Sequence, residues 1–289
     1  MDAGFDIDEF VARVLAEDLG TGGDVTSAAT IRRDARFTAQ LECREPIVVA
    51  GLDIAGAFFR ALDADVQIDA GAADGDAVGK GTILMRLDGL ALAMLSAERS
   101  ALNTLQHLSG IATLTRRYAD AIDGTGANLL DTRKTIPGLR SLEKYAARMG
   151  GARNHRMRLD DGVLIKDNHI AVAGGVAAAV RAAKAAGTGL HVQVEVDRIE
   201  QIAEALDAGA DRLLLDNMDV GTLRRAVELV AKRVPLEASG GVNLDTIRSI
   251  AETGVEFISV GRITQSAPAV DIGMDYALHD EGTESSLRA

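Results

Sequence analysis

The sequence predicts an α/β protein in which an incomplete parallel α/β barrel of about seven strands follows a separate N-terminal α/β domain. In the second half, apolar runs that each end in a polar group alternate with Ala-rich segments of helical character. From Glu195 onward the ends of these runs recur about every 21 or 22 residues. Continuous apolar runs are typical of buried parallel strands, and the spacing is typical of βα units. A barrel is favoured over a doubly wound sheet because the first unit lacks a GxGxxG fingerprint.

Six apolar runs predict the barrel strands, and the irregular stretch 150–161 could hide a seventh. The runs are NLLDT (128–132), VLIKDN (163–168), VQVEVD (192–197), LLLDN (213–217), VPLEASGG (234–241) and FISVGR (257–262). Helices are predicted between most of them, at 176–186, 199–208, 220–232 and 244–252.

The first hundred residues have a different pattern. Strand-like patches at 37–49 and a glycine-interrupted alternation at 66–87 indicate an antiparallel or half-barrel module. The stretch 91–122 predicts a long connecting helix that is broken at Gly110. The predicted domains are therefore an N-terminal α/β domain (1–110), a catalytic barrel (111–270) and a C-terminal tail (271–289). We expect the tail to pack back on the N-terminal domain and then to become disordered.

Composition excludes several classes of protein. The chain is 47% hydrophobic but only 3% aromatic, without Trp, which favours a core of small aliphatic side chains. A single cysteine, Cys43, excludes an internal disulfide framework and fits a reducing compartment. No leader pattern and no membrane-length apolar run is present, so we expect a cytoplasmic protein. A net charge of −12 argues against a nucleic-acid or anionic-membrane binder.

The segment 131–170 departs from this acidic balance. It contains nine Lys or Arg residues against five acids, a net charge of +4, and several of the cations adjoin apolar runs. A concave site for a small polyanion explains this excess better than a solvated basic face does.

Polar residues at the ends of the predicted strands are the candidate catalytic residues, because barrel active sites lie at the carboxyl ends of the strands. In chain order they are Arg133, Lys134, Lys166, Glu195, Asp216, Ser239, Gly240, Gly241 and Gly261.

These residues admit more than one chemistry. Glycines after two late strands, Ser239-Gly240-Gly241 and Val260-Gly261-Arg262, are typical of phosphate-binding loops, but also of ordinary turns. Glu195 and Asp216 could ligate Mg²⁺ together with a substrate phosphate and water, act as an acid/base pair, or neutralise Lys166. Lys166 could be a Schiff-base nucleophile or a fixed ammonium group that binds an anion.

Several motifs together resemble the quinolinate phosphoribosyltransferase family over nearly the whole chain, from about residue 8 to 273. They are EDLGTGGDVTS (17–27), SAERSALNTLQHLSGIAT (96–113), DTRKTIPGLRSLEKYA (131–146), NHR (154–156), LIKDNH (164–169), VEVD (194–197), LLLDN (213–217) and EASGG (237–241). Any one of these pieces is unspecific, whereas the ordered set is highly specific.

The resemblance implies a reaction in which quinolinate and phosphoribosyl pyrophosphate give nicotinate mononucleotide, pyrophosphate and CO₂, with Mg²⁺ as cofactor. It also implies a homo-oligomer, at least a dimer, in which the neighbouring subunit supplies Arg99 to the site. The residues that match the family's acid-binding positions are Thr132, Arg133, Lys134, His155, Arg156 and Lys166. The matching catalytic residues are Lys134, Lys166, Glu195 and Asp216, of which the last two also engage the metal. Those matching the 5-phosphate site are Ser239, Gly240, Gly241, Val260, Gly261 and Arg262.

Three positions, Ile136, Ala152 and Arg158, depart from the usual pattern of the family. Arg158 adds a cation near the expected pocket, so a related phosphoribosyltransferase that acts on another aromatic acid stays an alternative. A Schiff-base aldolase or decarboxylase that uses Lys166 is a second alternative. A non-catalytic sensor of a phosphorylated ligand is a third.

Overall fold

The computed structural model describes residues 4–278 and 286–287. The helices are α1 Ile7–Leu19, α2 Val25–Thr30, α3 Leu52–Leu62, α4 Ala91–Ala121, α5 Arg140–Met149, α6 Asp167–Ala173, α7 Val176–Ala185, α8 Glu200–Asp207, α9 Val220–Val230, α10 Ile247–Ala251 and α11 Arg262–Gln265. The strands are β1 Arg36–Cys43, β2 Ile47–Val48, β3 Gln67–Ala70, β4 Ala77–Val78, β5 Ile83–Leu90, β6 Asn128–Leu130, β7 Val163–Ile165, β8 Val192–Val196, β9 Arg212–Asp216, β10 Leu236–Ser239, β11 Phe257–Ser259, β12 Ile272–Leu278 and β13 Ser286–Leu287. Most of the predicted disordered end of the tail lies outside the described residues.

The chain divides into two compact units, and the first takes its described residues from Met1–Leu114, Ser141–Gly150 and Ala267–Ala289. Its main sheet is antiparallel, with strand order β13-β12-β1-β5-β3. Alternate residues of β1 are buried, from Phe37 to Cys43, because successive side chains of a strand point to opposite faces. The antiparallel arrangement agrees with the glycine-interrupted alternation in the sequence.

Gly110 does not break the long helix, contrary to the sequence prediction. Helix α4 runs without interruption from Ala91 to Ala121. A Cβ atom at Gly110 would lie 2.1 Å from the carbonyl oxygen of Pro268, within the same unit. Gly110 therefore allows the helix to pack closely against a neighbouring backbone, and the helix tolerates the low helix propensity of glycine at this position.

The second unit, which comprises Thr115–Arg140 and Gly151–Ser266, contains a six-stranded parallel sheet in the order β6-β11-β10-β9-β8-β7. The first strand of this unit pairs with its last, as the strand order of a barrel requires. On the other side of β6, Arg153 forms an isolated parallel bridge with Leu130. The Arg153 N–H donates to the Leu129 carbonyl at 2.8 Å. The predicted barrel is confirmed, and its seventh strand is reduced to this one residue.

Local signals set the ends of the barrel helices. Helix α9, for example, begins after Asp219, whose carboxylate accepts the Thr222 N–H at 2.8 Å. This contact satisfies one of the backbone donors that lack a partner at a helix start. Among the described residues, no helix combines the length and the apolar character needed to cross a membrane.

Candidate active site

The carboxyl ends of the parallel strands carry nearly all of the predicted site residues. Because the strands form one barrel, their carboxyl ends lie at the same end of the second unit. This end carries Thr132, Arg133 and Lys134 after β6, His155 and Arg156 after the Arg153 bridge, Lys166 after β7, Glu195 in β8, Asp216 at the end of β9, Ser239, Gly240 and Gly241 at the end of β10, and Val260, Gly261 and Arg262 after β11. The exception is Arg99, which is exposed on α4 in the first unit.

Two guanidinium groups, those of Arg133 and Arg156, form the electropositive centre of this end. Burial lowers the pKa of the Arg156 guanidinium and the charge of Arg133 lowers it further, while Asp161 opposes the shift. The Nε atom of Arg133 is buried and has no hydrogen-bond partner within the described part of the chain. An anion bound here would offset the repulsion between the two cations and supply the missing acceptor.

Buried Asp131 anchors the segment that carries His155 and Arg156. Its carboxylate accepts the backbone N–H of His155 at 2.8 Å and a hydrogen bond from the side-chain amide of Asn154. Asp131 is fully buried, and it directly follows β6. The conformation of this segment is therefore held by the neighbouring strand end.

The two ring nitrogens of His155 both face protein groups. Nδ1 accepts the backbone N–H of Arg156 at 2.8 Å, and Nε2 lies 3.4 Å from the Glu237 carboxylate. The side chain is 13% exposed. His155 was predicted to bind the acid substrate, but in this structure its polar atoms are turned toward the protein.

The turn after Arg156 is closed by Asp161. Its Oδ2 atom accepts the backbone N–H groups of Met157 at 2.6 Å and of Arg158 at 3.1 Å. The Nη1 atom of Arg156 donates to the carbonyl of Gly162 at 2.9 Å, which ties the guanidinium to the far side of the turn. The exposed Arg158 side chain lies 3.0 Å from the carboxylate of Asp160, which partly neutralises the extra cation.

Lys166 and Glu195 form an ion pair at the boundary between β7 and β8. The Nζ atom of Lys166 lies 2.9 Å from Oε2 of Glu195, with side-chain exposures of 48% and 14%. A Schiff-base nucleophile needs an amine that is desolvated or held near other cations. A half-exposed ammonium group paired with a carboxylate does not meet that condition.

Asp216 is oriented by the residue that follows it. The side-chain amide of Asn217 donates to Asp216 Oδ2 at 2.6 Å, and the Asn217 backbone N–H donates to the Ser239 carbonyl at 2.9 Å. Asn217 adopts a left-handed conformation with φ 55°, which asparagine tolerates better than most residues. Gly240 has φ +91°, and a Cβ there would lie 2.1 Å from Asn217 Oδ1. Only glycine fits this position.

Lys134 is held by the loop after the last strand. Thr264, 1% exposed, donates its hydroxyl to the Lys134 carbonyl at 2.7 Å. The hydroxyl of Thr132 accepts the Lys134 N–H at 3.0 Å. A Cβ at Gly261 would lie 2.8 Å from Lys134 Cδ, so the lysine side chain packs on a bare backbone.

The helix after the first glycine loop is shorter than predicted, and the helix after the second is a single turn. Helix α10 begins at Ile247 rather than near Leu244, and α11 begins at Arg262 and has four residues. Because these helices are short, any anion binding by the loops rests on their backbone N–H groups more than on helix dipoles.

Arg262, the last of the predicted phosphate-binding residues, interacts with Tyr118. Burial raises the pKa of the Tyr118 hydroxyl, and Arg262 opposes that rise through its charge and a hydrogen bond.

The donor set for a metal ion is small. Glu195 and Asp216 lie on neighbouring parallel strands and, by the register of β8 and β9, on the same face of the sheet. Among the described residues no group of three or more His, Cys, Asp or Glu side chains is placed to hold a metal ion. Two carboxylates suit Mg²⁺, which keeps waters and binds through one or two carboxylates plus substrate phosphates.

Three supporting residues were missed by the sequence analysis as functional candidates: Asp131, Glu237 and Thr264. Glu237 is fully buried within β10. A glutamate inside an apolar strand is itself a signal, because a buried carboxylate requires compensating donors. Asp131 gives a similar signal directly after a buried strand, whereas nothing in the sequence distinguishes Thr264.

Comparisons with known proteins agree with this architecture. The sequence matches the family described as Quinolinate phosphoribosyl transferase, by its N-terminal domain over residues 24–109 and its C-terminal domain over residues 111–275. The probable nicotinate-nucleotide pyrophosphorylase (carboxylating) of Bacillus subtilis (strain 168) is 43% identical, covering 93% of this chain and 92% of that protein. The mitochondrial quinolinate phosphoribosyltransferase (decarboxylating) 2b of Nicotiana tabacum is 40% identical, covering 93% and 82%.

A solved structure gives the same result at the level of the fold. The nicotinate-nucleotide pyrophosphorylase from Francisella tularensis matches with a TM-score of 0.89 at 40% identity, covering 93% of this chain and 95% of that one. The resemblance read from the sequence motifs is thereby confirmed.

Proposed function

Since the chain belongs to the quinolinate phosphoribosyltransferase family, we propose that it transfers a phosphoribosyl group from phosphoribosyl pyrophosphate to quinolinate. Loss of CO₂ then gives nicotinate mononucleotide, and pyrophosphate is the other product. This places the enzyme in the synthesis of pyridine nucleotides. The observation that carries the proposal is the pair of guanidinium groups, Arg133 and Arg156, whose charges repel each other at the same barrel end as two carboxylates and two glycine loops.

The cations hold the acid substrate. Quinolinate carries two neighbouring carboxylates, and a guanidinium group can bind a carboxylate through two parallel hydrogen bonds. Arg133 and Arg156 supply such groups, and the ammonium groups of Lys134 and Lys166 add charge around them. The main catalytic effect of this cluster is to hold the pyridine nitrogen near the anomeric carbon of the donor.

The carboxylates and the glycine loops bind and stabilise the phosphoribosyl donor. As the bond to pyrophosphate breaks, positive charge develops on the ribose, and Glu195 and Asp216 stabilise it electrostatically. Ser239, Gly240, Gly241 and Gly261 present backbone N–H groups to the 5-phosphate. The pyridine nitrogen then forms the new C–N bond.

Mg²⁺ would be held by Glu195 and Asp216 together with the pyrophosphate of the donor and water, and would neutralise the leaving group. Glu195 is paired with Lys166 in the ligand-free chain, so binding of the donor and metal competes with that ion pair. Lys166 would then be free to contact the acid substrate.

Decarboxylation follows from the charge on the ring. Once the C–N bond has formed, the positively charged pyridinium nitrogen accepts electron density from the adjacent carbon as its bond to the carboxylate breaks. CO₂ leaves, and that carbon takes a proton from solvent. No covalent adduct with Lys166 is needed, which agrees with its pairing to Glu195.

The test is a direct assay of both products. Purified protein with carboxyl-labelled quinolinate, phosphoribosyl pyrophosphate and Mg²⁺ should release labelled CO₂ and form equal amounts of nicotinate mononucleotide. An Asp216→Ala variant is the matched negative control. Absence of both products from folded protein would refute the proposal. Turnover of a different aromatic acid instead of quinolinate would favour a related phosphoribosyltransferase that acts on that acid.

We also propose that the enzyme is a homo-oligomer whose site receives Arg99 from a neighbouring subunit. Arg99 is exposed on α4, so it is accessible to a partner chain. Mixing Arg99→Ala and Lys166→Ala subunits should restore part of the activity, because some sites would then contain both intact residues. No recovery after verified subunit exchange would contradict a shared site. The buried single cysteine, Cys43, suits a reducing compartment, which we take to be the cytoplasm.

A further inference from the structure

Glu237 is the centre of a buried polar network beneath the site. Its Oε2 atom accepts the side-chain amide of Gln193 at 2.8 Å and lies 2.9 Å from Nη2 of Arg212. The guanidinium of Arg212 stacks on the ring of Phe257 at 3.9 Å. A fully buried carboxylate is costly unless it is paired, and here Gln193, Arg212 and His155 supply the partners.

The network reaches the site through His155. The Nδ1 atom of this ring accepts the Arg156 N–H, so it cannot carry a proton, and the ring proton lies on Nε2, which faces Glu237. The tautomer of a histidine is set by the hydrogen bond that its other nitrogen makes. Neither nitrogen is then left for a substrate carboxylate.

We propose that Glu237 is a positioning residue: through His155 it fixes the backbone of Arg156, and thereby the guanidinium that binds the acid substrate. His155 is accordingly a positioning residue as well and does not contact the substrate through its nitrogens. The inference deepens the proposed function and rests on it for the identity of the acid. It differs from the assignment that the family resemblance implies, in which His155 holds the pyridine dicarboxylate.

Two substitutions of His155 separate the two roles. In His155→Asn the amide oxygen can accept the Arg156 N–H at the position of Nδ1, but nothing replaces Nε2. In His155→Gln the amide reaches the position of Nε2, but the acceptor for Arg156 is lost. A positioning role predicts that both variants raise the KM for quinolinate: the Asn variant because the link to Glu237 is lost, and the Gln variant, by about 10- to 100-fold, because the acceptor for Arg156 is lost.

A Gln variant whose KM for quinolinate stays near that of the wild type would overturn the proposal, because a direct contact through Nε2 favours Gln over Asn. The KM for phosphoribosyl pyrophosphate should stay near that of the wild type in the Asn and Gln variants. Glu237→Gln should raise the KM for quinolinate more than it lowers kcat. A Glu237→Gln protein that folds and binds quinolinate normally would also overturn the proposal.

Nitrogen-15 spectroscopy of the ligand-free protein tests the tautomer without any turnover. With labelled histidine, the His155 signals, identified by their loss in His155→Gln, should show protonated Nε2 and unprotonated Nδ1 at neutral pH. A protonated Nδ1 would refute the inference. If the wild type makes no product from quinolinate, the proposed function fails, while these spectra still decide whether Glu237 sets the tautomer.

Discussion

The carboxyl end of the barrel has two halves that are built on different principles. The cationic half comprises the loops after β6, after the Arg153 bridge and after β7, and it presents the side chains of Arg133, Lys134, Arg156 and Lys166. The glycine–carboxylate half comprises the ends of β8 to β11, with Glu195, Asp216, Gly240, Gly241 and Gly261.

The two halves obtain their precision in different ways. Long cationic side chains are flexible, so the cationic half depends on buried anchors, as in the contact of Asp131 with the backbone of His155. The glycine–carboxylate half depends on backbone conformation, with φ 55° at Asn217 and +91° at Gly240. Substitutions that disturb positioning should therefore act through the loss of buried side-chain anchors in the first half and through backbone strain in the second.

The halves meet at two seams. At one, Lys166 is paired with Glu195. At the other, Lys134 packs on Gly261 and its carbonyl accepts the hydroxyl of Thr264. Each seam joins a cation of one half to a group of the other, which is the arrangement needed where two substrates must react with each other.

The largest effects should come from removing one charged contact in each half. We expect Arg133→Ala to raise the KM for quinolinate and Asp216→Ala to impair use of phosphoribosyl pyrophosphate. Each should lower kcat/KM by roughly 30- to 5,000-fold, on the order of 2–5 kcal/mol, because a charged contact is lost. Steady-state kinetics with each substrate varied in turn measure this. If each variant affected both substrates equally, the division into halves would be wrong.

A backbone substitution tests the second half. Gly240→Ala should destabilise the fold by about 2–5 kcal/mol, because the left-handed conformation and the contact with Asn217 both oppose a Cβ. Gly241→Ala is the matched control. Gly241 has φ +62°, but no described heavy atom lies within 4 Å of a Cβ placed there, so about 1–2 kcal/mol is expected. Denaturant unfolding of both variants gives the difference, and equal losses would show that the Asn217 contact is unimportant.

A smaller effect is expected at the seam of Lys134. Thr264→Val removes the hydroxyl bonded to the Lys134 carbonyl and should cost about 1 kcal/mol of stability, with a measurable loss of kcat/KM. Thr253→Val removes a similarly buried hydroxyl bonded to the Ile250 carbonyl at 2.7 Å, away from the strand ends. It should cost as much stability and leave kcat/KM unchanged. An equal kinetic loss in both variants would argue against positioning of Lys134.

The smallest effect should be a change in the acid dependence of stability. Burial alone would raise the pKa of Glu237, but the hydrogen bond from His155, the charge of Arg212 and the hydrogen bond from Gln193 hold it below its usual value. Because the pKa is lower in the folded state, this stabilisation is present above the unfolded pKa of about 4.3 and is lost as the pH falls through the folded pKa. The stability difference between wild type and Glu237→Gln should therefore shrink below about pH 4 in unfolding measurements. A constant difference down to pH 2 would contradict the lowered pKa.

Sequence patterns predicted the barrel well because its signals are local. The apolar runs that end at Lys166, Glu195 and Asp216 became strands whose ends carry these residues. The predicted break at Gly110 was wrong because glycine has a second use, close packing against Pro268, which no local pattern distinguishes from a helix end. The start of α10 was misplaced by about three residues for a related reason, since the glycine pair is followed by a turn rather than by helix.

By itself, the sequence determined the order of strands and helices and the excess of cations in the segment 131–170, since hydrophobic periodicity and residue type are properties of neighbouring residues. Only the tertiary structure decided what those side chains contact. It paired Lys166 with Glu195, turned both nitrogens of His155 toward the protein, and reduced the seventh strand to Arg153. These outcomes depend on hydrogen bonds and burial among residues far apart in the chain, and a periodic pattern carries no information about such distances.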